Sequence, residues 1–312
     1  MNHEMILGGT TPLPSTPGGW FDYAYAVLWN GDLALVRTDR DIHAERVRWQ
    51  DQVQRGNIHA HHPGFQGKYL RLSTFDGNTE SGAIEIPAWP WPRVDRLPDG
   101  RWLVVTSRVE PNQNNASLFA TDGTLTGTFA MGDGIAHIQC ANDGTIWAGY
   151  FDEGVFSGGA ADGGWPVSAS GVAQFGPDGS VLWKFNDQAP ENLFIADCYA
   201  LTIDGSALWC CAYDGFSIVK VERDVVTAWQ NEVTGADALA IDGDLVVLAG
   251  GYGDQSGRIA LLHLGDGQAQ QIGEWQFQRP DRNAARLVQG RGATLHIVGQ
   301  GNWTRLSVAD AS

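Results

Sequence analysis

The stretch ANDGTIWAGYFDEGVF, residues 141–156, ends an apolar run on two adjacent carboxylates, Asp152 and Glu153, beside Tyr150. Two carboxyl groups within reach of one bound molecule can divide the work of acid and base, as glycoside hydrolysis requires. The blander reading is that carboxylates at a strand end cap a turn or solvate a loop. A second group, His59, His61 and His62 in HAHH, alternates on an extended segment, and imidazole suits a transition metal. No Cys or carboxylate stands at ligand spacing beside it, so a solvated loop is the expected state. The chain carries no G-x-S-x-G elbow, no P-loop and no dinucleotide fingerprint.

The elements that must position these residues are read from turns. Asn-Gly or Asp-Gly between apolar runs is a hairpin signal, because tight primed turns need positive φ at their centre. Such turns occur at Asn30-Gly31, Asp99-Gly100, Asp143-Gly144, Asp204-Gly205 and Asp242-Gly243, with a degenerate one at Arg291-Gly292. A second series follows at Asp76-Gly77, Asp122-Gly123, Asp178-Gly179, Arg223-Asp224 and Asp266-Gly267. Two hairpins per unit make four antiparallel strands, and six units in series predict an all-β, six-bladed β-propeller filling the whole chain as one domain. The expected blades cover 20–88, 89–133, 134–190, 191–234, 235–280 and 281–312. The last lacks a strand, which residues 3–9 would supply by pairing with the C-terminal blade and closing the ring.

The runs DGTIWAGY and GPDGSVLWKF resemble the repeats of NHL-type, two-component-regulator-type and gluconolactonase-like propellers. The gluconolactonase-like resemblance implies a divalent metal held by Glu, Asn and Asp at channel positions. Asn142 and Asp197 match two of these, whereas Asp22 and Tyr23 stand where the Glu would be. No obligatory cofactor is expected, a divalent metal being what the resemblance leaves open.

In a propeller the innermost strands line the channel, and the loops leading into them share a face with the loops joining second and third strands. Counting back from each first turn puts Tyr23, Arg93, His137, Asp197, Asp237 and Arg286 at the channel mouth. Ends of second strands add Arg108, Tyr150, Tyr213, Tyr252 and Trp303 at the rim. The first and third units are longer between second and third strands, so both insertions should rise on this face. Mixed charge beside aromatics suits a polar, carbohydrate-like or lactone-like molecule. On this reading His137, Asp152, Glu153 and Asp197 do acid–base work in a hydrolase or lyase, while the arginines, tyrosines, Asp237 and Trp303 bind substrate. The rival for His137 is a satisfied core histidine, and for Asp197 and Asp237 a channel-water network. The alternative function is a non-catalytic scaffold presenting Trp20, Trp89, Trp91 and Trp165 to a protein or ligand.

Composition sets outer bounds. Of 312 residues 43% are hydrophobic and 18% charged, with 40 Gly and 13 Trp, a turn-rich, aromatic-cored profile. The formal net charge of −16 repels a nucleic-acid backbone, so nucleic acid is not an expected partner. No apolar run is long enough for a bilayer and no secretory h-region is seen, so neither a membrane nor export is expected. Cys140, Cys198, Cys210 and Cys211 lie in strand-like runs and read as reduced core thiols of a cytoplasmic protein.

Overall fold

The computed structural model describes residues 9–57, 60–64, 67–110, 113–157, 164–213 and 215–311. A short β1 (Thr10–Pro12) precedes β2 (Phe21–Val27), β3 (Leu33–Thr38), β4 (Tyr69–Phe75) and β5 (Glu80–Pro87), with helix α1 (Ile42–Gln54) between β3 and β4. Next come β6 (Pro92–Arg96), β7 (Trp102–Thr106), β8 (Ala116–Phe119) and β9 (Leu125–Phe129). They are followed by β10 (Ile135–Cys140), β11 (Ile146–Tyr150), β12 (Val172–Phe175) and β13 (Val181–Lys184), with the single turn α2 (Asp152–Val155) after β11. Then follow β14 (Asp197–Asp204), β15 (Ala207–Tyr213), β16 (Ser217–Glu222), β17 (Val225–Asn231), β18 (Ala238–Asp242), β19 (Leu245–Ala249), β20 (Arg258–Gly265) and β21 (Gln268–Gln276). The chain ends with β22 (Leu287–Arg291), β23 (Thr294–Gly299) and β24 (Asn302–Ser307).

Each strand pairs antiparallel with the next inside its sheet, and β17 and β21 join in parallel through two residue pairs to make one eight-stranded sheet. The inner strands β2, β6, β10, β14, β18 and β22 pack one against the next, and β22 packs against β2. The molecule is an all-β propeller. β1 lies antiparallel on β24, Thr10 opposite Thr304. The expectation for the N-terminal pairing strand fell on residues 3–9, of which 3–8 lie outside the described residues; Gly9 is not in a strand, and Thr10–Pro12 makes the contact.

Local chemistry explains the turns. Asp99, Asp122, Asp143 and Asp178 each accept, through Oδ1, the backbone N–H two residues on, while the following glycine takes positive φ. Second strands such as β3 and β7 are buried along their whole length, sandwiched between neighbouring sheets, whereas outer β5 and β9 expose most of their residues. The core accordingly lies between sheets: Leu103 and Val105 of β7 pack with Ile138 of β10 and Ile146 of β11. All four cysteines are buried free thiols.

Where the inner strands end, a buried polar network ties them together. Gln139 donates to the carbonyls of Leu201 and Gly290 (3.2 and 2.9 Å) and accepts from Ile203 N–H (3.0 Å). Arg291 donates to Gln139 Oε1 (2.7 Å) and to the Cys140 carbonyl, and its Nη1 lies 3.7 Å from Asp95 Oδ2. Asp95, fully enclosed, accepts the Cys140 N–H at 2.7 Å. Ile241 N–H donates to Gly292 O, and Val27 N–H to Gln289 Oε1. One contact sets how close two inner strands stand: a Cβ on Gly290 would lie 1.5 Å from the Leu239 carbonyl oxygen. Gly290→Ala should therefore destabilise the fold by about 3 kcal/mol, since backbone rather than a flexible side chain must yield. Gly127→Ala, whose Cβ meets nothing nearer than 4.0 Å, should stay within about 0.5 kcal/mol of the parent in the same urea unfolding series.

Candidate functional site

The face at which the inner strands begin also carries the β3–β4 and β11–β12 connections, and these hold α1 and α2. Tyr23, Arg93 and His137 lie in the first residues of β2, β6 and β10, Asp197 opens β14, and Asp237 and Arg286 immediately precede β18 and β22. Register shifts fall between Asp22 and Ala24, Ile135 and His137, and Cys198 and Ala200. Bulges at these places re-aim side chains, and Tyr23 and Tyr199 are the extra residues in two of them.

Arg93 keeps solvent-accessible surface, yet protein surrounds its guanidinium and lost hydration draws its pKa down. The Tyr23 hydroxyl is raised by burial, against a bond from the Trp91 backbone and the charges of Arg46 and Arg93. Burial, then Arg93, pulls His137 down to about 4, so its imidazole is neutral near pH 7. Its Nε2 lies 3.1 Å from the Tyr199 carbonyl and must donate to it. His137 in this geometry is a strut between β10 and β14.

The carboxylates come together. Burial, then the charge of Asp152, raises Asp197 to about 6; an Asp152 backbone bond opposes the shift and Glu153 adds to it. The Asp152–Glu153 turn is fixed by close backbone packing, because a Cβ on Gly154 would sit 2.4 Å from the Asp133 carbonyl oxygen. Glu153 thereby meets Arg108 Nη1 at 3.2 Å, and Arg108 Nε reaches Asp133 at 3.1 Å, its guanidinium 5.5 Å from the Phe151 ring centre.

Arg108 connects this cluster to an open cleft of about 1260 Å³ lined by Trp89, Trp91, Arg93, Arg108, Glu110 and Phe151, among others. Asp152, Glu153 and Asp197 do not line the cleft; Glu153 touches it through Arg108. Trp91 is held there at φ 46°, a strained value for a tryptophan, with its carbonyl accepting from Ser107 N–H and Oγ–H. Beyond Asp197 an aromatic group crowds the same face. Tyr199 stacks on Tyr213 at 5.6 Å, accepts the Tyr252 hydroxyl at 2.7 Å, and Phe216 stands edge-on to all three.

Other candidates fall elsewhere. Tyr150 is fully buried, its hydroxyl donating to the Met131 carbonyl at 2.6 Å, so it belongs to the core and not to a substrate. Trp303 is also fully buried: β23 ends at Gly299, and Trp303 lies on β24, one strand further out than the rim position expected for it, donating to His296 Nδ1 at 3.1 Å. Asp237 is ion-paired with Arg279. Sequence reasoning missed Arg279, Tyr199 and Phe216; only Tyr199, two residues after Asp197 on an inner strand, had a signal to find it.

His59 lies outside the described residues; His62 packs edge-on against Trp49 of α1 at 4.6 Å and accepts the Gly64 N–H. Among the described residues no three His, Cys, Asp or Glu side chains could hold a metal ion. The metal set implied by resemblance does not fit either. Asn142 lies in the β10–β11 turn, at the opposite end of its sheet from the start of β14 where Asp197 sits, and Asp22 is bound to Arg37 at 2.9 Å.

No protein-family model and no curated protein matches the chain. Solved structures do. A chain of the mitotic checkpoint complex aligns at TM-score 0.51 and 9% identity over 94% of this chain and 78% of that one. The β-propeller domain of Myceliophteria thermophila Cps50 (Swd1) aligns at 0.49 and 10% over 96% and 99%. A functionally unknown protein from Desulfotomaculum acetoxidans DSM 771 aligns at 0.49 and 12% over 95% and 87%. Such identities speak to fold alone.

Asp197 holds its proton more tightly folded than unfolded. Its contribution to stability is full below about pH 4, the unfolded value, and is lost as pH rises through about 6. Asp197→Asn should remove that loss, so the variant gains on the parent between about pH 4 and about pH 7 in urea unfolding. A difference flat with pH would mean that Asp197 titrates as an ordinary surface carboxylate.

Proposed function

We propose that this propeller binds a polar, carbohydrate-like or lactone-like molecule on its loop-bearing face and acts on it as a hydrolase or lyase, with Asp197 as the proton-carrying acid. The observation that carries this reading is a carboxyl raised to about 6 by burial and by Asp152, with Glu153 bridging to the arginine that lines the open cleft. The cleft's tryptophans offer flat apolar faces for sugar rings, and Arg93, Arg108 and Glu110 offer hydrogen bonds to hydroxyls. In hydrolysis Asp197 gives its proton to the leaving oxygen while Asp152 or Glu153 takes one from the attacking water. In a lyase route one of those carboxylates removes the proton next to a substrate carboxylate, Arg93 or Arg108 stabilises the developing negative charge, and Asp197 protonates the leaving oxygen. His137 serves as the strut that fixes β10 against β14, and Tyr213 and Tyr252 flank the same face.

The same reading takes the inner strands as six blades of a ring closed by β1 on β24, with the blade limits given above and repeats of the NHL and gluconolactonase-like kind. A scaffold function is favoured by one feature, the exposed aromatics Phe156, Trp165 and Phe194, of which Trp165 is 78% accessible.

A thermal-shift screen of sugars, uronic-acid oligosaccharides and lactones tests the proposal, because a ligand of the folded state raises its melting temperature. Trp91→Ala should weaken a hit by about thirtyfold, the scale of a buried aromatic anchor. Asp197→Asn should keep binding and lower turnover by about 100-fold or more. Binding without turnover in the parent would replace the enzyme by a binding module, and no hit at all would favour the scaffold.

A further inference from the structure

Beside the cleft, on the first and last sheets, a separate concavity of about 490 Å³ opens between α1 and the segment leading into β22. Arg46 and Gln50 enter it from α1 together with His43, Arg282 and Arg286 enter from the other side, and Tyr23 forms part of the wall. Among the described residues no carboxylate lines it. Among the described residues, none of these three arginines has an Asp or Glu oxygen within 4.0 Å.

This is an unexpected place for bare cations. The chain has 36 acidic residues against 20 basic, so counter-charges are plentiful, and they are absent from this wall. Asp281, whose charge Arg286 feels, has its Oδ1 engaged by the Asn283 N–H at 2.9 Å. Arg286 is lowered by burial, against the opposing charge of Asp281 and with Arg282 adding to the shift, and it in turn lowers Arg279. Like charges gathered in a concavity without acids raise the local potential and favour an anion. The parts are also oriented: Arg286 Nη1 donates to the Pro280 carbonyl at 3.2 Å, and His43 Nε2 donates to the Tyr23 carbonyl at 3.0 Å, leaving Nδ1 for a ligand.

We propose that this concavity is a binding site for a phosphate-bearing small molecule, held by Arg46, Arg282 and Arg286. Planar guanidinium forks match phosphate oxygens in pairs, and the volume suits a small molecule and not a polymer. The site shares no lining residue with the cleft, so it stands or falls separately from the enzymatic reading.

Calorimetric titration of the whole chain with inorganic phosphate tests it, with glucuronate as the carboxylate probe. One phosphate should bind per chain, more tightly than glucuronate. Arg46→Gln and Arg286→Gln, on two different elements, should each weaken it by about tenfold or more, the cost of a lost charge-assisted bond. Arg223→Gln, in the exposed β16–β17 turn, should leave it unchanged. The unliganded unfolding midpoints of both pocket variants should match the parent's, since glutamine keeps a polar side chain at each exposed or half-exposed position, and this separates a lost site from a lost fold. Absence of binding up to about 10 mM phosphate, equal binding by all variants, or tighter binding of glucuronate would each overturn the assignment.

Discussion

The buried meeting of Arg291, Gln139 and Asp95 is the constraint on which the ring rests. Each belongs to a different inner strand, and the backbone groups they satisfy lie on β10, β14 and β22, so four inner strands are held at one spacing. Burial raises Asp95 to about 6 even though Arg291 and the Cys140 and Arg96 amides pull it down. Stranding one member of such a pair costs on the order of 3–5 kcal/mol, which makes the arrangement all or nothing. Because the hub lies at the far ends of the strands, their near ends are free to differ, and the loop-bearing face varies from blade to blade above a fixed base.

That freedom is used to separate charge. Asp152, Glu153 and Asp197 gather on one side of the mouth, and Arg46, Arg282 and Arg286 on the other, with Arg93 and His137 between. Asp197 beside Asp152, and Arg286 beside Arg282, each lie next to a like charge, and like charges perturb one another. Asp22 with Arg37 and Asp237 with Arg279 are ion pairs that tie elements together, and Glu153 meets Arg108 at the edge of the cleft.

Legibility in the sequence followed the range of the interaction. The turns were readable because an aspartate bonds an amide two residues away and a glycine supplies the positive φ, all within four residues. The six mouth residues followed by counting from those turns. Tyr150 and Trp303 were misplaced because side-chain direction depends on parity and strand number: the Gln300–Gly301 turn, with φ 52° and 77°, starts a new strand where a loop was expected. Asp197's raised pKa and the neutrality of His137 come from burial by the assembled fold and then from Asp152 and Arg93, 45 and 44 positions away, and Arg279 meets Asp237 across 42, so no local pattern announces them.

The short parallel splice between β17 and β21 has a colloidal side. An unpaired strand edge is a template for another chain, and here Gln230 and Asn231 cover Gln268 and Ala269 so that two outer edges shield each other. The outer strand β5 carries Glu80, Glu85 and a terminal Pro87, all of which discourage edge-to-edge pairing. β9, reading LTGTF, has neither charge nor proline. Self-association of this chain at high concentration therefore has a preferred doorway, and it is the rim of the second sheet, far from the mouth.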